Sequence, residues 1–286
     1  MPEAVRALSL ALALALCAAC RESPRADLPG ASEPRIVSLS PSTTGILIAL
    51  GARGELVGVD QFSHELPGCA EIPALGGLFA PDLERTLELR PSIVVGVRSE
   101  SQAAFFAALR ARGVTVHELD TGGSLEAVLA NYETLGGWIG RSAEGRALAQ
   151  HARDQLADVA RSVADRPRPS VALVVERDPL YVAAGGSFAS ALIDAAGGRN
   201  VFAELDRPYP QVSLELLAER APDVLIDSTQ SSQGPEAQAA ARAYWARFPW
   251  AKRIELVPPG VATLPGAELA RGAELLRARI HPELAS

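Results

Sequence analysis

This chain of 286 residues has fewer basic than acidic residues: 27 Lys and Arg compared with 34 Asp and Glu, which gives a formal net charge of −7. No stripe of basic side chains is present to neutralise phosphates, which argues against a nucleic-acid partner. After residue 20 no apolar run approaches the length of a membrane-spanning helix. The four histidines (His64, His117, His151 and His281) belong to no short cluster of ligand-spaced residues, so the sequence predicts no metal site.

The chain has only three cysteines, and two of them end its apolar N-terminal stretch. This stretch is a short apolar run behind Arg6, which is typical of an export signal rather than a membrane span. Small residues directly before Cys20 resemble a bacterial lipoprotein box, in which Cys20 would become the lipidated first residue. Plain signal cleavage and a buried apolar helix are the alternatives. Loss of Cys17 and acylation of Cys20 would leave Cys69 unable to form an internal disulfide.

We therefore expect a signal peptide with a lipobox over residues 1–20. Residues 21–33 are rich in Pro, Ser and charge, which predicts a flexible tether. A chain of this length has a root-mean-square reach on the order of 20 Å.

One device occurs twice in the chain, over residues 82–95 and 213–226. Each copy reads as a capping residue, Leu-Glu, a short helix, a proline and a buried apolar strand. The capping residue, Asp82 or Ser213, can accept a free backbone N–H of the first helical turn. The proline disfavours helical geometry at the residue before it, so each helix should end there. A repeat of this size predicts two similar lobes.

Each copy of the device carries a glutamate in its first helical turn, Glu84 in one and Glu215 in the other. A carboxylate at this position favours the helix dipole, and that alone explains either residue. The matched spacing adds a functional interpretation. One exposed acid on each lobe is a two-point dock for a partner with basic pockets.

The predicted fold class is α/β, with two Rossmann-like lobes joined by a single long backbone helix. A hydrophobic content of 48% and the length allow two domains with separate cores. Strands alternate with short helices on both sides of residues 142–165, which indicates parallel α/β lobes. Residues 142–165 themselves predict a helix of about 35 Å, which we interpret as a rigid strut. The expected boundaries are an N-terminal lobe over 34–140, a connecting helix over 141–166 and a C-terminal lobe over 167–286.

A series of motifs resembles the class III periplasmic binding proteins, which serve ABC importers of cobalamin, haem and ferric siderophores. The motifs, in order, are Arg35-Ile36-Val37-Ser38-Leu39-Ser40-Pro41-Ser42-Thr43-Thr44, Leu50-Gly51, Val57-Gly58-Val59, Leu83-Glu84, Gly197-Gly198-Arg199-Asn200-Val201-Phe202 and Pro210-Gln211-Val212-Ser213. The resemblance extends over residues 35–280 and is strongest to the cobalamin-binding members.

The resemblance implies a periplasmic, lipid-anchored, monomeric substrate-binding protein that is not an enzyme and uses no cofactor. Its ligand would be a corrinoid of the cobalamin type or another metal-containing macrocycle or chelate, with a ferric siderophore or haem as the alternative. Its partners would be the permease and ATPase of an ABC importer, and the lipid anchor would place it at the membrane. In this family one glutamate on each lobe engages permease arginines, and Glu84 and Glu215 occupy the matching positions.

The resemblance also implies a ligand site between the lobes. Aromatic faces can bury a large area against a flat macrocycle, and Phe62, Tyr181 and Tyr209 match aromatic positions of the cobalamin binders. The other expected site residues are Ser63, His64, which could approach a central metal, and Leu78, which replaces a Trp. The alternative role for the three aromatic residues is lobe packing.

A serine hydrolase is the rival interpretation. Gly185-Gly186-Ser187-Phe188-Ala189 lies between a strand and a helix, as a nucleophile elbow does, and Asp227 and His281 follow in a workable order. The last position of the motif is Ala instead of Gly, however, and Ser187 can equally be a helix N-cap.

Overall fold

Short strands and capped helices alternate along the chain. The computed structural model describes residues 34–77, 80–120, 123–229, 234–260 and 265–284. The strands are β1 (Ile36–Ser38), β2 (Leu56–Val59), β3 (Gly76–Gly77), β4 (Ala80–Pro81), β5 (Ile93–Val97), β6 (Thr115–Leu119), β7 (Ser170–Arg177), β8 (Leu180–Val182), β9 (Arg199–Asn200), β10 (Val224–Asp227) and β11 (Ile254–Leu256). The helices are α1 (Pro41–Ala49), α2 (Leu83–Glu88), α3 (Ala103–Arg110), α4 (Leu125–Trp138), α5 (Ser142–Ser162), α6 (Phe188–Ala195), α7 (Leu214–Arg220), α8 (Pro235–Ala246) and α9 (Leu269–Ile280).

Among the described residues, two larger sheets form, one from each half, and β3 and β4 form a small antiparallel sheet of their own. The first has the strand order β2-β1-β5-β6 and is parallel throughout. The second has the order β11-β10-β7-β8, and β9 also pairs with β7. Strand β8 runs antiparallel to β7, because only Asp178 and Pro179 separate the two strands and so short a link reverses the chain. The α/β fold class with parallel sheets is thus confirmed.

The connecting helix is shorter and less isolated than predicted. Helix α5 has 21 residues, about 32 Å, and ends at Ser162 instead of residue 165. It packs along α4 as a helical hairpin. A Cβ built on Gly145 would lie 2.7 Å from the carbonyl oxygen of Tyr132, so the two backbones can approach this closely only because position 145 is glycine. Gly136 of α4 has the same role, because a Cβ there would lie 2.7 Å from the carbonyl oxygen of Arg141.

The buried side chains do not fall into two separate cores. The main hydrophobic cluster runs from Ile36 of the first sheet, through Leu135 and Leu156 of the hairpin, to Leu173 of the second sheet and Ile280 of α9. A smaller cluster lies on the other face of each sheet. The apolar faces of the hairpin helices join the two halves into one core, which restricts motion between them. Among the described residues, no helix has both the length and the apolar character that crossing a membrane requires.

The repeated device has the predicted caps. Asp82 accepts a hydrogen bond from the Arg85 amide at 3.0 Å, and Ser213 accepts one from the Leu216 amide at 3.1 Å. The two copies also share a feature that the sequence did not signal. The residue before each proline, Arg90 or Ala221, has a left-handed backbone with φ of 46° or 41°, a conformation that favours glycine.

Candidate functional site

The predicted site residues of the first half lie in the turn after β2. Phe62 is 47% exposed, whereas Ser63 is fully buried and His64 is half-buried. The Ser63 hydroxyl accepts a hydrogen bond from Thr44 at 2.9 Å and so contributes to the turn. His64 Nδ1 lies 2.9 Å from the carbonyl oxygen of Ile72, which fixes the ring and leaves Nε2 for another partner. Of these three side chains, Phe62 has by far the largest exposed face.

Asp60 is a residue of this turn that sequence reasoning missed. Its side chain is fully buried, and Oδ1 accepts hydrogen bonds from the amides of Phe62 at 2.9 Å and Ser63 at 3.1 Å. Oδ2 accepts the Ser63 hydroxyl. Burial raises the pKa of the Asp60 carboxyl, although the hydrogen bonds from Ser63 and Phe62 oppose that rise. An Asp three residues before a Ser was the available signal.

Tyr181 and Tyr209 of the second half lie on one face of an antiparallel ladder. Tyr181 is opposite Gln211 across an isolated bridge. The register sets Tyr209 opposite Ala183, which lies two residues from Tyr181 and belongs to the main hydrophobic cluster that Tyr209 also contacts, so the two tyrosines lie on the same side. The ladder is held by the hydrogen bonds Ala184 N to Pro208 O at 2.9 Å, Val182 N to Pro210 O at 3.2 Å and Val212 N to Leu180 O at 3.0 Å.

Tyr209 lies between two prolines and is largely enclosed. Its ring is half-buried and packs against the main hydrophobic cluster, and burial raises the pKa of its hydroxyl above the usual range. It therefore makes the packing contacts of the alternative interpretation while part of its surface stays exposed. Leu78 and Cys20, the remaining predicted ligand and lipidation positions, lie outside the described residues.

Glu84 and Glu215 occupy equivalent exposed positions in the first turns of α2 and α7. Hydrogen bonds from its own amide and from the Ser213 side chain lower the pKa of the Glu215 carboxyl, so this group is ionised at neutral pH. A second matched pair, Glu88 and Glu219, lies one turn further along the same helices and is also exposed. The signal for that pair was present in the repeat, because both copies carry Glu four residues after the first.

The two halves meet along a cavity of about 500 Å³. The cavity is mainly apolar. It is lined on one side by α1 and the segment Leu66–Pro67, and on the other by Gly260, Gly266, Ala267, Glu268 and Arg271. Its lining includes none of the predicted aromatic residues. The halves are tied together by the Tyr132 hydroxyl, which donates to the Gly266 carbonyl oxygen at 2.6 Å.

The proposed hydrolase residues each have another structural partner. Ser187 accepts a hydrogen bond from the Ser190 amide at 3.0 Å, as an N-cap of α6 does. Asp227 accepts the Trp245 indole N–H at 2.7 Å. His281 Nε2 lies 3.3 Å from the carbonyl oxygen of Gly197. These contacts account for Ser187, Asp227 and His281 as parts of the fold.

Comparison with known proteins gives one family. The profile of the family described as "Periplasmic binding protein" matches residues 36–252. The vitamin B12-binding protein of Vibrio parahaemolyticus is 29% identical over 204 residues, which are 71% of this chain and 74% of that protein. A periplasmic haem-binding protein from Pseudomonas aeruginosa has a TM-score of 0.76 at 28% identity, with 87% of this chain and 93% of that chain covered. The vitamin B12-binding protein BtuF of Vibrio cholerae has a TM-score of 0.72 at 23% identity, with 88% and 98% covered, and shows the fold alone.

Proposed function

Because this chain belongs to the periplasmic binding protein family, we propose that it captures a corrinoid of the cobalamin type between its two halves and delivers it to the permease of an ABC importer. The proposal is supported by Tyr181 and Tyr209 on one face of the ladder in the second half, and by the exposed ring of Phe62 in the first half. Flat macrocycles bind well to such aromatic faces, each of which buries a large apolar area. The two lobes would be residues 34–140 and 167–286.

The protein would bind its cargo without catalysing a reaction. Its relatives are binding proteins, and the continuous core favours small lobe movements around a largely pre-formed crevice. Leu78 and His64 would complete the site, and the fully buried Ser63 would support it through the turn.

Haem is the second candidate ligand, and a ferric siderophore is the third. Two observations support haem: the haem-binding neighbour of nearly equal identity, and the imidazole of His64, which lies two residues after Phe62 and uses Nδ1 for the contact with the Ile72 carbonyl oxygen. Neutral imidazole is a common ligand of haem iron.

Titration of the purified mature protein with cyanocobalamin, haemin and ferric siderophores tests this proposal. We expect cyanocobalamin to quench Tyr and Trp fluorescence saturably and with the highest affinity. Truncating Tyr181→Ala or Tyr209→Ala should raise the Kd about tenfold or more, because a stacked ring is lost, while Tyr209→Phe should retain most of the affinity. Tyr244→Ala, in the aromatic cluster over the other sheet face, is the matched control. Haemin binding with a Soret shift, and no response to cyanocobalamin, would replace the corrinoid with haem.

We further propose that residues 1–20 direct export and that Cys20 is acylated, so that residues 21–33 tether the protein to the periplasmic face of a membrane. Globomycin should then block maturation, and the full-length protein should partition with membranes. A Cys20→Ala protein is expected in the soluble fraction. Its continued partition with membranes would count against lipid anchoring.

A further inference from the structure

We propose that Asp60 is a positioning residue of the ligand site, whose buried carboxylate holds Phe62 in its exposed orientation toward the cargo. This inference rests on the function proposed above, because it assigns a role within the same crevice. Asp60 itself contacts no ligand in this role and acts through the turn.

The buried carboxylate of Asp60 binds the backbone of the turn that carries Phe62. Asp60 is fully buried, and a buried carboxylate is costly unless hydrogen bonds compensate its lost hydration. Here Oδ1 accepts two consecutive backbone amides, those of Phe62 and Ser63, and Oδ2 accepts the Ser63 hydroxyl. The backbone on both sides of the Phe62 Cα is therefore bound to one side chain.

The Asp60 carboxylate belongs to a fully buried polar network. The Ser63 hydroxyl accepts from Thr44, the Thr44 and Ser38 hydroxyl oxygens lie 2.8 Å apart, and Ser38 contacts Thr43 at 2.7 Å. All members of the network are fully buried. The network links the turn to the end of β1 and to the first turn of α1. A satisfied polar network of this kind makes one arrangement rigid, since any other leaves polar groups unpaired.

The anchored turn exposes the Phe62 ring to solvent. The amide of Asp60 donates to the Ser38 carbonyl oxygen at 3.1 Å, and the Gln61 amide donates to Gly76 at 2.9 Å, so the start of the turn is also anchored. Phe62 is the exposed hydrophobic residue of this anchored segment, with 47% of its surface exposed, and its neighbour Gln61 is exposed as well. A rigid support lets an exposed aromatic ring bind without a further loss of conformational entropy, which increases affinity.

A double-mutant cycle on cargo affinity, with cyanocobalamin and haemin as the probes, tests the inference. We expect Phe62→Ala and Asp60→Ala each to raise the Kd about tenfold. Because Asp60 acts through Phe62, adding Asp60→Ala to Phe62→Ala should change the Kd less than about twofold. Asp60→Asn, which keeps an acceptor for the two amides, should recover part of the affinity. Additive effects, with the wild-type protein binding normally, would overturn the positioning role and leave the proposed function intact.

Hydrogen exchange of the ligand-free protein gives a readout that does not depend on the cargo. In Asp60→Ala the amides of Phe62 and Ser63 should exchange at least about tenfold faster, while the Leu39 amide, which donates to Val95 in the first sheet, keeps its protection. If Asp60→Ala does not fold, Ser63→Ala removes the donor to Oδ2 and should accelerate the same two amides. Unchanged exchange at both positions would overturn the inference. Failure of the wild-type protein to bind either probe would instead overturn the proposed function.

Discussion

A variant that carries both Glu84→Gln and Glu215→Gln is expected to lose cargo uptake almost completely while its affinity for cargo stays at the wild-type value. Both carboxylates are exposed in the first turns of matched helices, one in each half of the molecule. Each would accept a charge-assisted hydrogen bond from a permease arginine. Truncating one partner of such an interfacial pair costs roughly 2–5 kcal/mol, so the loss of two should reduce uptake at least about tenfold.

Cargo uptake by cells or proteoliposomes that contain the permease measures this effect, and a cargo titration measures affinity in parallel. The chain offers a matched control, Glu88→Gln with Glu219→Gln. These residues are also exposed, lie on the same two helices and change the net charge equally. They are one turn away from the first pair, so uptake by the control variant should stay close to wild type. Normal uptake by the Glu84 and Glu215 variant would refute the docking role. An equal loss of uptake in both variants would show that net charge, and not docking through Glu84 and Glu215, causes the loss.

The elements that could be predicted from the sequence are those set by neighbouring residues. The caps at Asp82 and Ser213 are examples, because a cap depends on a side chain and an amide three residues apart. Strands β5 and β10 follow the prolines of the two copies of the device as predicted, since each is a short apolar run after a turn residue. Such signals need no knowledge of the tertiary structure.

The features that sequence reasoning missed depend on contacts between distant residues. The ladder that places Tyr181 and Tyr209 on one face joins segments about 30 residues apart and has no local signature. Gly145 has no local signal for its role either, although its missing side chain allows α4 and α5 to touch. The ligand remains a proposal for the same reason, since its identity depends on the spacing of side chains across the crevice.

Replacing Arg141 by Met is expected to destabilise the protein by about 3–5 kcal/mol, because it leaves a buried carboxylate unpaired. Arg141 forms an ion pair with Glu55, and their side chains are only 10% and 12% exposed. Its second guanidinium nitrogen donates to the Leu50 carbonyl oxygen at 2.7 Å. The other Glu55 oxygen, Oε2, is buried without a hydrogen-bond partner, so the carboxylate depends on this arginine for most of its compensation. The pair also fastens the turn between α4 and α5 to the end of α1.

Urea denaturation of the ligand-free protein measures this free energy of unfolding. Removing the charge as well, in Arg141→Met with Glu55→Gln, should recover a large part of the lost stability, because the double variant no longer buries an unpaired carboxylate. The matched control is Arg153→Met. Arg153 pairs with Glu126 and Glu133, but its side chain is 31% exposed and those of its partners 68% and 39%, so its loss should cost no more than about 1 kcal/mol. Equal effects of Arg141→Met and Arg153→Met, or no recovery in the double variant, would show that the Arg141–Glu55 pair does not anchor the helical hairpin to the first half of the molecule.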